Sequence, residues 1–286
     1  MTTQRPETRA RALRRDARGF TLVELLVTVV VGAIILGATY AVMLSQQRYF
    51  ARQTQVQDSR ETLRAAAAIL AAEVRQASDS GGDFAAIASD SFVLRTTLGF
   101  AVNCASVNPS DKFFYITSTW GQWQIGDSVL VFVDNNPGAN DDQWRSRSIT
   151  NVQAPDGSCA YGTTPELKVT LDSVGTGIRV GAQLRTFKWY VYKLYQESGR
   201  YWLGRRALDQ VDYTGVVGPL TAPGANAGLV LTYYDANQVA TVNTGEVASI
   251  EVTVRSESFG RAPGLAGSAN AYIRDTLTTR AFLRNN

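Results

Sequence analysis

From Phe20 to Leu44 the chain runs 25 residues with a single charge, Glu24. At about 1.5 Å per residue a helix over that stretch is roughly 37 Å long, enough to cross the ~30 Å hydrocarbon core of a bilayer. A carboxylate near the end of such a span costs roughly 2.5–3.5 kcal/mol on insertion scales, so it calls for a partner or a task. Gly32 and Gly37 lie inside the run. Small residues there permit close helix approach, although a five-residue spacing is not the usual four-residue pattern.

Charge is distributed unevenly around this segment. Six arginines (5, 9, 11, 14, 15 and 18) precede it against Glu7 and Asp16, and the rest of the 286-residue chain holds 22 basic and 23 acidic residues. The net +3 therefore belongs to the N-terminal segment and gives no warrant for nucleic-acid binding elsewhere. Positive charge just before an apolar span keeps that end cytoplasmic and sends the C-terminal side across. Both cysteines, Cys104 and Cys159, fall on the exported side, where one disulfide competes with two buried free thiols. Histidine is absent, which excludes Ser-His-Asp triads, histidine metal sites and imidazole bases. Without a Gly-framed nucleophile motif no hydrolase constellation emerges, so enzymatic activity is not expected and no cofactor is implied.

The helical pattern continues past the apolar run, with no Pro or Gly from Ala38 to Asp79. Tyr49, Val56, Leu63 and Leu70 recur every seven residues, with Phe50, Ala67 and Val74 beside them, and this predicts one buried stripe. A single helix of about 58 residues is expected from Phe20 to Ala77, near 87 Å long. The turn formers of Ser78-Asp-Ser-Gly-Gly-Asp83 end it. Beyond lie ten expected strands: 92–97, 113–117, 128–134, 146–152, 167–171, 184–196, 200–206, 229–235, 248–255 and 272–283. Glu197-Ser-Gly-Arg200 reads as a hairpin turn, and Ile250, Val252 and Val254 alternate with polar residues as in a sheet with one wet face. Residues 262–271, rich in Gly, Ala, Pro and Ser, read as a loop.

Arg18-Gly-Phe-Thr-Leu-Val-Glu24, followed by Leu-Leu and the apolar helix, resembles the class III signal of type IV prepilins and type II secretion pseudopilins. The resemblance implies cleavage after Gly19 by a membrane-embedded prepilin peptidase on the cytoplasmic side and N-methylation of Phe20. It also implies a filament-assembly role for Glu24, whose carboxylate would meet the Phe20 amine of a neighbouring subunit. A local reading stands beside this one, since Thr21-Leu-Val-Glu24 has capping-box spacing. Past the helix, Val-Leu-Thr-Tyr-Tyr-Asp235, the strand around Ile250 and Thr-Arg-Ala-Phe-Leu-Arg-Asn285 look like PilW-type minor pilins and J-type pseudopilins, in pattern only. The chain departs from common pilins in lacking a Pro at Ala41 and in its 19-residue leader.

The expected fold is α+β and type IV pilin-like: a long N-terminal spine helix packed on an antiparallel β-rich head. The expected domains are a basic leader over 1–19, a helix over 20–78 (transmembrane to 44, amphipathic after it) and an exported globular domain over 79–286. The expected function is that of a minor pilin that primes or caps a type IV pilus. A J-type pseudopilin and a tip adhesin or DNA-uptake pilin are the alternatives. The expected partners are other major and minor pilins, prepilin peptidase and the inner-membrane assembly platform. The expected location is the inner membrane and then the cell surface.

Two further clusters carry weaker signals. Asp134, Asn136, Asn140 and Asp142 gather oxygens that could suit calcium, but the spacing matches no EF-hand and Pro137-Gly138 reads first as a turn. Phe187, Trp189, Tyr190, Tyr192, Tyr195, Tyr201 and Trp202 interleave with Lys188, Lys193 and Arg200. Such a mixture can stack nucleic-acid bases, but alternating aromatics on a half-buried hairpin read first as core, so nucleic acid is not an expected partner.

Overall fold

The computed structural model describes residues 19–77, 82–108, 110–136, 138, 142–264 and 269–283. The chain divides into two compact units, residues 1–52 and 53–286. One helix, α1 (Leu22–Arg75), supplies the described secondary structure of the first unit and opens the second. It is two residues shorter at each end than expected, because the chain enters it through a cap at Thr21 and leaves it at a turn. Of the segment expected to end it, residues 78–81 lie outside the described residues, and Gly82 turns with φ +66°.

In the first unit the helix presents its apolar residues outward. Leu22 is 81% exposed, Ile34 67% and Leu36 72%, and none of the most apolar window is buried. Two threonines in this stretch satisfy their own hydroxyls: Thr28 donates to the carbonyl of Leu25 and Thr39 to that of Ile35, both at 2.8 Å. A helix whose backbone and hydroxyls are internally bonded and whose side chains are apolar all round suits hydrocarbon rather than water.

In the second unit the same helix changes solvent. Ser59, Leu63, Ala66, Leu70, Ala71 and Val74 are buried against the sheet, at the three- and four-residue spacing that places them on one face. Leu63, Leu70 and Val74 of the expected stripe are buried, and Val56 and Ala67 are half-buried. Tyr49 and Phe50 are a correction, being 54% and 69% exposed. They lie in the other unit, before the seam begins. Ser59, which the apolar pattern passes over, shares a 2.6 Å hydrogen bond with Ser256, and Gln55 accepts one from the Gly260 amide at 3.1 Å.

Among the described residues twelve antiparallel strands follow: β1 (Phe84–Ala88), β2 (Ser91–Asn103), β3 (Phe113–Gly121), β4 (Ser128–Val133), β5 (Gln143–Gln153), β6 (Leu167–Leu171), β7 (Gln183–Glu197), β8 (Arg200–Ala207), β9 (Thr214–Leu220), β10 (Leu229–Tyr234), β11 (Ser249–Ala262) and β12 (Ala271–Phe282). β1 and β9 have no counterpart among the expected strands. β1 is short and alanine-rich, and β9 carries Gly215, Gly218 and Pro219, residues that ordinarily interrupt a strand. The hairpin turn is formed as read: Glu197 pairs with Arg200, and Ser198 and Gly199 both adopt positive φ, as a type I′ turn requires.

The pairing closes a ring that the strand pattern alone does not reveal. β2, β3, β6, β5, β4 and β7 pair in succession and β7 returns to β2, making a six-stranded barrel. Its core comprises Ala101, Phe114, Ile116, Val129, Val131, Ile149, Val169, Leu171 and Leu184. A separate core joins the helix seam to Phe92, Leu94, Tyr192, Leu203, Leu220, Leu231, Ile250, Val252 and Val254. β2 and β7 serve both cores, one half of each strand in each. The changeover is marked by a register shift at Thr97/Gly99, and a side chain on Gly99 would come within 2.7 Å of the Thr186 hydroxyl.

Cys104, just after β2, and Cys159, in the connection from β5 to β6, are joined, with Cα atoms 4.9 Å apart. The loop that carries Cys159 is held a second time: Asp156 accepts from the Tyr115 hydroxyl at 2.6 Å and from Lys168 Nζ at 2.8 Å. Lys168, then Tyr115, hold the Asp156 carboxyl below its ordinary pKa.

Two stability predictions follow from these cores. Leu70 is fully buried in the seam, so Leu70→Ala should lower the unfolding free energy by about 2–5 kcal/mol, read from denaturant melts of tryptophan fluorescence. The Cys104–Cys159 link spans 55 residues of sequence. Replacing both cysteines with serine should cost about 2–4 kcal/mol, and an unchanged denaturation midpoint would show that the link contributes nothing in solution.

Candidate processing and assembly site

Gly19 and Phe20 precede α1, and Thr21 begins it as N-cap. The Thr21 hydroxyl accepts from the Glu24 amide at 3.2 Å, while its carbonyl accepts from the Leu25 amide at 3.1 Å, the first helical bond. This is one half of a capping box. Among the described residues the Glu24 carboxylate makes no hydrogen bond or ion pair, so the reciprocal half is not formed. The carboxylate is exposed in the first turn, where the positive end of the helix dipole favours it. Thr21 thus performs the local capping task and leaves Glu24 available.

Gly19 is not demanded by the chain itself. A Cβ built there meets nothing within 4 Å, and its φ lies outside the left-handed region. The same is true of Gly32 and Gly37. Phe20 is 78% exposed. The segment therefore presents a side-chain-free residue, an exposed aromatic and an unengaged carboxylate, in that order, ahead of an outward-facing apolar helix.

Residues 14–40 match the family described as the prokaryotic N-terminal methylation motif. No curated protein and no solved structure matches the chain. The matched segment contains Gly19, Phe20 and Glu24, and it indicates a type IV pilin-like protein that is processed by prepilin peptidase and associated with a membrane.

The other residues singled out in the sequence fall in two groups. Asp134 turns toward Arg179, with Oδ2 3.4 Å from Nε. Asn140 lies outside the described residues, and no group of three metal-capable His, Cys, Asp or Glu side chains occurs among those described. In the aromatic hairpin Phe187 and Tyr192 are buried, Tyr192 stacking on Phe92 at 4.9 Å between centroids. Burial raises the Tyr192 hydroxyl well above its ordinary pKa, and the Glu73 carboxylate adds to the effect. The interleaved cations have partners: Lys188 lies 3.4 Å from Asp127, Lys193 lies over the Tyr213 ring, and Arg200 lies over Phe259 and Tyr272.

What the sequence pattern missed are the polar fasteners of the seam, Gln55 and Ser59, and the group Arg48, Tyr49, Phe50 and Arg52. The first could have been found only by knowing which strand the helix covers. In the second, Tyr49 was masked by its fit to a heptad.

Proposed function

We propose that the chain is a minor pilin, a low-copy structural subunit that primes or caps a type IV pilus. The observation that carries this reading is the unengaged Glu24 carboxylate at the start of an outward-facing apolar helix, directly after a glycine for which the fold has no use. Cleavage after Gly19 creates a cationic amine at Phe20, five residues in the mature chain from Glu24 counting both ends. In a filament the amine of one subunit meets the carboxylate of the next in an apolar setting, where opposite charges attract far more than in water. Desolvation offsets much of that attraction, so the pair sets axial register more than it adds stability. A head as large as residues 79–286 would crowd a shaft if every subunit carried it, which favours a place at the tip or in initiation.

Two variants test the site. Gly19→Ala should leave a precursor about 19 residues longer than the mature chain, and a mature-size band on immunoblots would count against cleavage there. Glu24→Ala should be processed normally yet lose most incorporation into sheared filaments, whereas wild-type incorporation would remove the register role. Deleting the gene should abolish surface pili and leave protein secretion intact. Normal piliation with failed secretion would instead identify a secretion pseudopilin.

A further inference from the structure

Arg48, Tyr49, Phe50 and Arg52 follow the apolar run and belong to the first unit. Tyr49 and Phe50 are exposed, and at about 100° per residue the four side chains span about 200° of the helix circumference. No acidic residue occurs between Glu24 and Asp58. A patch that is aromatic, cationic and wider than the stripe that the seam buries does not suit a sheet, which touches one side. It suits a surrounding layer of phosphates.

We propose that Arg48–Arg52 is a belt that seats the unassembled subunit in the phospholipid headgroups on the exported side and so fixes the depth of Glu24. This rests on the membrane-spanning reading of residues 20–44. The spacing supports it: from Leu44 back to Glu24 is 20 residues, or about 30 Å of helix, which equals the hydrocarbon thickness. With Leu44 at the outer boundary of the hydrocarbon, Glu24 stands at the inner boundary. Side chains on a helix lean toward its N-terminus, so Tyr49 and Phe50 reach back to the headgroup level and the two guanidiniums reach the phosphates. Aromatic residues with a polar tip favour that layer. Six arginines in the leader outnumber the two here, so the belt does not oppose the topology.

The test uses the full chain, native cysteines oxidised, in vesicles of phosphatidylethanolamine and phosphatidylglycerol. A nitroxide is placed at Leu36→Cys or Gln46→Cys, and depth is read from collisions with oxygen against a water-soluble nickel chelate. The label at 36 should lie in hydrocarbon and the label at 46 near the headgroup boundary. Adding Tyr49→Ser with Phe50→Ser should shift the label at 46 by about 3 Å or more, roughly two residues of helix rise. Both aromatics are exposed, so the head's cores stay intact. An unchanged depth at 46 overturns the belt and leaves the span standing. A label at 36 open to the chelate overturns the span, and the belt with it.

Discussion

The buried seam between the second half of α1 and the sheet is the constraint on which the rest of the second unit depends. Leu63, Ala66, Leu70 and Val74 share one core with residues of β1, β2 and β7 to β12. The same helix, 54 residues long, carries a different instruction in its first half, where apolar side chains face outward on all sides. Composition decides between the two. All-round hydrophobicity belongs to lipid, and a one-sided stripe with polar flanks belongs to a protein face. The change comes between Arg48 and Gln55, where neither pattern holds.

Much of this was legible in the chain. Ten of the strands and the hairpin turn could be read because their alternation is strong and their breaks are marked by Gly, Asn and Asp. β1 and β9 could not, since three alanines in one and Gly215, Gly218 and Pro219 in the other weaken the pattern below what local reading detects. Closure of the barrel was invisible for a different reason. It depends on β7 pairing with β2 across about ninety residues, and nothing in either strand's own alternation names its partner. The helix was legible in extent but not in use: a heptad counts Tyr49 as it counts Leu63, although only one of them has a sheet beside it.

At the candidate processing site the residues were legible and their division of labour was not. Thr21 and Glu24 have the spacing of a mutual cap, and two outcomes were open. The hydroxyl takes the amide while the carboxylate takes nothing from the described chain. The hydroxyl meets the capping task that every helix has, and the carboxylate stands outside it. This explains how one short motif can hold its own fold in order and still offer a charge outward.

The sharing of β2 and β7 between the two cores has a mechanical meaning. The two strands are registered over 11 residue pairs, from Ser91↔Lys193 to Val102↔Gln183. Tension applied to the barrel along those strands is resisted by many backbone hydrogen bonds sheared together, rather than by a ladder peeled open one rung at a time. The barrel is therefore not an ornament hung on the helix layer by a loop. It is a continuation of the same two tendons, so the second unit should stretch and yield as a single body.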